Sequence, residues 1–222
     1  MFWSGSSLET IWPEVKRRPF LLLDLGQTLV RFDWKEAAQR FTQRTTRPVD
    51  LTVEFLCQRC LYVEYELGRV GSREFFFELR RATGFDGTLE EVEEIFCSIF
   101  SPWPEREAIL AKLLPRFTIA IVSNTSPAHA FYLEKTLPWL SRLPHRFYSF
   151  QLGHRKPSSH FYLAVLSQLG CRPWHTILVD DRPENCVGAQ KVGIPAVCVS
   201  PEECLGEVLA RSGLPMVGDL DT

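Results

Sequence analysis

The apolar positions of the chain fall into short runs that end abruptly in polar residues. The run 21–25 carries Asp24 near its end and leads into Gly26, Gln27 and Thr28. The run 117–122 stops at Ser123 and Asn124, and the run 176–179 stops at Asp180 and Asp181. An apolar run of this length closed by turn residues reads as a strand buried on both faces. Residues 195–199 predict a further strand, and 145–152 another that leads into the basic turn Gly153-His154-Arg155-Lys156-Pro157.

Helical patterns fill the intervals. Ile109, Leu110, Leu113 and Leu114 give one apolar face, with Pro104 suited to that helix's first turn. A helix from about Pro127 carries Phe131, Leu133 and Leu137. Pro157 at the first position and Gly170 at the end bracket another, with Phe161, Ala164, Val165 and Leu169 inward. A short helix with Gly188 and Ala189 ends at Gly193, and a last one is expected from Pro201 to Arg211. Such alternation predicts an α/β fold, a Rossmann-like doubly wound parallel sheet with right-handed crossovers.

From about 35 to 103 the pattern is helical throughout, which places a helical cap domain inside the α/β core formed by 1–34 and 104–222. Residues 29–34 are expected to continue extended before it begins. Val53, Leu56, Cys57 and Cys60 form one amphipathic stripe, so the C-x-x-C reads as core cysteines, with no second pair to make a zinc site. Ser72 is expected to cap a helix bearing Phe75, Phe76 and Leu79. Thr88-Leu89-Glu90-Glu91 is a capping box ahead of Val92, Ile95, Phe96, Ile99 and Phe100. Residues 1 to about 18, with Trp3, Ile11 and Trp12, carry no assigned function.

The polar strand ends carry the candidate chemistry. Ligands of doubly wound sheets bind off the carboxyl ends of the strands, so Asp24, Ser123, Asn124, Asp180 and Asp181 should meet on one edge, within reach of Lys156. Two like charges 4 Å apart cost roughly 4 kcal/mol at an effective dielectric of about 20. A hard divalent cation relieves that repulsion, and Mg²⁺ is usually held by one or two carboxylates with waters and phosphate oxygens. A free oxygen of Asp24 beside a bound phosphate describes nucleophilic phosphoryl transfer.

In these motifs and their order the sequence resembles the haloacid dehalogenase-like (HAD) hydrolase superfamily, most of all the branch with α-glucose-1-phosphatases and the N-terminal phosphatase domain of soluble epoxide hydrolases. The resemblance rests on 24–28, Ser123-Asn124, Lys156-Pro157, and Asp180-Asp181 followed by Asn185 and Gly188-Ala189. It implies that Asp24 is nucleophile and metal ligand, that Gly26 offers its carbonyl to the metal, and that Asp181 is the second carboxylate ligand with Asp180 in support. It implies that Ser123 and the backbone at Asn124 hold phosphate oxygens while Lys156 neutralises charge. The function implied is a Mg²⁺-dependent phosphatase of small phosphomonoesters, sugar phosphates among them; a haloacid dehalogenase or a non-catalytic phosphate-binding protein are the alternatives.

One position departs from the superfamily's commoner pattern. Most of its phosphatases have a second Asp two residues after the nucleophile, to protonate the leaving group. Here that residue is Gly26, which has no side chain to donate a proton. Asp33 is the nearest substitute in sequence. Without an acid, rates should depend steeply on leaving-group pKa.

Composition narrows the partners. A net charge of −2 leaves no electrostatic footprint for nucleic acid or anionic membrane; the small phosphorylated metabolite that the resemblance implies needs only local positive charge, from Lys156 and a metal. Seven irregularly spaced cysteines, an odd number, predict a reducing compartment, by default the cytoplasm. The first residues lack the basic and apolar regions of a signal peptide, and no apolar run approaches membrane-spanning length. The residues leave the oligomeric state open.

Overall fold

The computed structural model of the protein describes residues 18–45 and 61–212. Its centre is strand β1 (Phe20–Leu23), three of whose four residues are fully buried. It is flanked by β4 (Thr118–Ser123) and β6 (Thr176–Asp180), with β5 (His145–Tyr148) and β7 (Ala196–Cys198) outside them. The order is β5-β4-β1-β6-β7, and every pairing is parallel. Parallel strands need crossovers, and the helices making them cover both faces. Alternate residues of β1 accordingly serve different cores: Leu21 and Leu23 pack with Ile119, Ile121 and Val179 on one face, Leu22 with Ala120, Val122 and Leu178 on the other.

The helical segment leaves and re-enters this sheet through a small antiparallel ribbon, β2 (Arg31–Phe32) with β3 (Phe100–Ser101). Its described helices are α1 (Trp34–Thr42), α2 (Leu61–Glu66), α3 (Ser72–Thr83) and α4 (Leu89–Cys97). They enclose an aromatic cluster of their own, including Phe41, Tyr65, Phe75, Phe76 and Phe96. The capping box of α4 is present in both directions, Glu91 N to Thr88 Oγ1 at 3.2 Å and Thr88 N to Glu91 Oε2 at 2.7 Å. The stripe 53–60 with Cys57 and Cys60, and the segment 1–17, lie outside the described residues.

Several boundaries differ from the sequence expectation. Of residues 29–34, Arg31 and Phe32 are extended as β2, whereas Leu29 lies in the turn after β1 and Trp34 already starts α1, where Asp33 accepts a hydrogen bond from Lys35 N. Gly71, not Ser72, caps α3, since the Ser72 hydroxyl is engaged with the Tyr65 hydroxyl at 2.8 Å. The strand expected over 145–152 ends at Tyr148. There Ser149 Oγ locks onto the backbone of Thr125, and one helical turn (α8, Ser149–Leu152) follows. Pro157 is not a first helical residue: Ser158 caps α9 (Ser159–Leu169) through a bond from His160 N, leaving Pro157 in the preceding turn. The last helix, α11, spans Leu205–Arg211, since 201–203 form a turn in which Glu203 accepts from Ser200 N.

Among the described residues no helix is long and apolar enough to cross a membrane, and Cys97, Cys171, Cys186, Cys198 and Cys204 are free thiols.

Candidate active site

The carboxyl ends of β1, β4 and β6 meet in a cavity of about 340 Å³. Asp24 is placed there because its N–H continues the sheet to Val179 O at 2.9 Å while the chain then turns back on itself, Leu29 and Val30 both donating to Leu25 O. That tight loop puts Gln27 in the left-handed region at φ 57°.

Lys156 is the hub. Its ammonium, 4% exposed as a residue, donates to Asp24 Oδ1 at 2.5 Å, Asp180 Oδ2 at 2.6 Å and Val122 O at 2.9 Å. Those three bonds use all the donors a lysine has. Its backbone is held as firmly: Lys156 N donates to Asn124 Oδ1 at 2.8 Å and Asn124 Nδ2 donates to Lys156 O at 2.9 Å. The Asn124 side chain is therefore committed to the lysine turn, and only its backbone could serve a ligand. Helix α10 (Pro183–Gln190) presses on the same turn through Gly188, where a β-carbon would lie 2.4 Å from Pro157 O. Only glycine permits that approach.

Asp180 is wholly buried, and its other oxygen accepts from Arg182 N at 3.0 Å and Asn185 Nδ2 at 2.8 Å. Asp181 is less buried and lines the cavity beside Asp24. Oxygens of Asp24, Asp180 and Asp181 all lie within 4.8 Å of one another. Burial pushes Asp24 up to about 7, Lys156 opposing and the charges of Asp180 and Asp181 adding to the rise. Asp181 is driven up to about 6 by burial and then by Asp180. Burial alone would lower Lys156, but Asp180 and Asp24 more than offset it and keep the amine protonated.

Three carboxylates against one ammonium leave a surplus of two negative charges, which adds to the rise that burial imposes on Asp24 and Asp181. A hard divalent cation fits such a donor set in charge and in ligand type. Asp24 and Asp181 have the freer oxygens for it, as Asp180 is tied to Lys156, Arg182 and Asn185. Gly26 and Ser123 line the same cavity. Asp33 does not reach it: its carboxylate caps α1, and it borders a separate hollow.

A family model described as haloacid dehalogenase-like hydrolase matches residues 68–199, more than half of the chain. The chain belongs to the haloacid dehalogenase-like hydrolase family. The match takes in Ser123, Lys156, Asp180 and Asp181, while Asp24 precedes it. This HAD-like hydrolase is 28% identical over 216 residues to the flavin mononucleotide hydrolase 1 of Arabidopsis thaliana, a chloroplast protein by its name, covering 95% of this chain and 84% of that one. A D-ribitol-5-phosphate phosphatase of Bacteroides thetaiotaomicron is 23% identical over 180 residues, 78% of this chain and 87% of that protein. In fold it is similar to the crystal structure of a HAD family enzyme from the same bacterium, with a TM-score of 0.78 and 22% identity over 87% of this chain and 98% of that one. That enzyme has also been crystallised with magnesium and inorganic phosphate.

The HAD-like hydrolase adds cavity residues that its sequence did not single out. Phe32, Trp34, Tyr62 and Phe100 form an aromatic wall, and Glu66, His129, Arg155 and Arg182 bring polar groups. His129 is stacked on Phe96 at 4.1 Å, and burial depresses its imidazole to about 3, partly countered by its bond to Phe96 O, so the ring is neutral. The Phe32 ring also explains what can stand at position 26, since a β-carbon on Gly26 would meet it at 3.0 Å.

Proposed function

We propose that this hydrolase is a Mg²⁺-dependent phosphatase of small phosphomonoesters, acting through a phosphorylated Asp24. The observation that carries the reading is the charge surplus at the strand ends, beside an Asp24 whose Oδ2 has only a long contact, 3.4 Å, to Thr28 Oγ1. The names of the relatives support it: a flavin mononucleotide hydrolase and a D-ribitol-5-phosphate phosphatase are both named for phosphate-ester substrates, and a magnesium and phosphate complex is known for a protein of the same fold. A dehalogenase reading would leave the surplus charge with no purpose.

In the proposed reaction an oxygen of Asp24 attacks phosphorus, the bond from phosphorus to the ester oxygen breaks, and the alkoxide or phenoxide departs. Water then hydrolyses the aspartyl phosphate and restores the carboxylate. Lys156 keeps Asp24 aimed and offsets negative charge as it builds. Ser123 and the backbone at Asn124 bind phosphate oxygens. Asp24, Asp181 and the Gly26 carbonyl would hold Mg²⁺, with Asp180 orienting them, and the ion would supply charge neutralisation for the phosphoryl oxygens. Residues 35–103 act as the cap over this site, and 1–34 with 104–222 as its core.

Phosphate release from 4-nitrophenyl phosphate should require added Mg²⁺ and vanish with EDTA. Unchanged turnover in EDTA would refute the metal assignment. A second expected result concerns position 26. With no acid there, rates should fall steeply as leaving-group pKa rises, since a general acid contributes about 10²- to 10⁴-fold. Gly26→Asp alone forces the Phe32 ring aside, so the variant should flatten that dependence best when paired with Phe32→Ala. A shallow dependence in the wild type would show that some other group already delivers the proton.

A further inference from the structure

Glu66, the last residue of α2, is the cavity's third acidic side chain among the described residues, and the reaction above does not use it. It is 4% exposed. Burial, the leading effect, raises its carboxyl above the ordinary range, against Arg155, the Tyr62 hydroxyl and the more distant Arg182 and Lys156. Arg155 Nη2 stands 2.8 Å from Glu66 Oε2, yet not in line for a hydrogen bond, so Oε2 has no donor and the Nε of Arg155 has no acceptor.

A carboxylate can accept about four hydrogen bonds, and leaving a buried acceptor unmet costs about 1–3 kcal/mol. Of the cavity's aromatic residues, Tyr62 bonds the Glu66 carboxyl through its hydroxyl, and Phe32, Trp34 and Phe100 line the same cavity. Glu66 lines the cavity, so a donor on a molecule bound there is placed to reach its carboxyl. The phosphate end of the cavity is anionic and claimed by Asp24 and Lys156. Glu66, an anion itself, is unsuited to phosphate and suited to a neutral donor further along the substrate.

Resting on the phosphatase reading, we propose that Glu66 recognises a hydroxyl or N–H on the leaving group, making the substrates phosphomonoesters with a flat apolar body that carries a hydrogen-bond donor. The aromatic wall takes the body and Glu66 fixes its orientation. The cavity of about 340 Å³ is at the small end for ligand sites and suits a single ring beside the phosphate.

Phenyl phosphate and the three hydroxyphenyl phosphates test this, because their leaving groups differ little in acidity and one alone lacks the donor. With Mg²⁺, at least one hydroxyphenyl isomer should exceed phenyl phosphate in kcat/KM by about tenfold or more, the size expected for a hydrogen bond to a charged group. Glu66→Gln keeps the shape and should reduce that preference to within twofold while leaving phenyl phosphate little changed. Glu66→Asp, which withdraws the charge by one methylene, should lower the preference too, and serves if the Gln variant does not fold. Equal rates on all four esters in the wild type would overturn the proposal. So would a KM that rises equally for every ester in Glu66→Gln, the mark of a residue that only ties α2 to Arg155. A wild type that releases phosphate from none of them would instead remove the phosphatase reading, and this proposal with it.

Discussion

Asp24→Asn should reduce phosphate release by at least about 10³-fold, the scale seen when a covalent nucleophile is removed, while the protein stays folded. The amide has the carboxylate's shape, and its oxygen can still accept from Lys156, which now lies at 2.5 Å from Oδ1. It cannot form the phosphorylated intermediate. Folding should not suffer, because the change removes one of three crowded negative charges, and burial already pushes Asp24 up to about 7. Thermal melting within a few degrees of wild type, with retained binding of inorganic phosphate in the presence of Mg²⁺, completes the expectation. A variant keeping a tenth of the wild-type kcat would show that another group attacks phosphorus.

Lys156→Met should have the opposite balance, with loss of activity and of stability together. Methionine fills the volume but leaves Asp24 and Asp180 buried with no cation, and breaking a buried ion pair by removing one partner costs about 3–5 kcal/mol. For a chain of this size that corresponds to roughly 6–20 °C in Tm. It also leaves Val122 O without the donor it has at 2.9 Å. Mg²⁺ should restore part of the lost Tm, since it supplies positive charge to the same oxygens, but little of the turnover. Melting in EDTA and in Mg²⁺ measures both effects. An unchanged Tm in EDTA would mean that the carboxylates are not held together by Lys156.

Much of this site is legible in the sequence because its parts sit at strand ends. Asp24, Ser123 and Asp180 each close an apolar run, and parallel pairing of three such strands forces their ends onto one edge. The lysine turn is marked by its charge and its proline. The rest depends on long-range packing. Nothing near Glu66 in sequence distinguishes it from the other acidic residues of the helices, and only the fold brings it to Arg155. Phe32 reads as one more apolar residue until its ring is found against Gly26. The role of the Asn124 side chain is also set by packing, for the sequence reading used only its backbone while the fold ties its amide to the Lys156 backbone. The shifted helix starts at Gly71 and Ser158 arise because neighbouring hydroxyls, at Ser72 and Ser158, choose their partners by local geometry rather than by residue type.

The position of β1 bears on how the chain reaches this state. Phe20 pairs with Thr118 on one side and with Thr176 on the other, so the strand leading to Asp24 precedes its first partner by about a hundred residues and its second by more. Such non-local pairing has to overcome loop closure before it gains any contact, which slows folding. During synthesis the apolar run 21–25 emerges without either partner, whereas the helices between have local contacts and an aromatic cluster of their own. The central strand is thus the most exposed part of the nascent chain to misassociation, and truncation before β6 should yield insoluble protein, even though every residue of the helical layer is present.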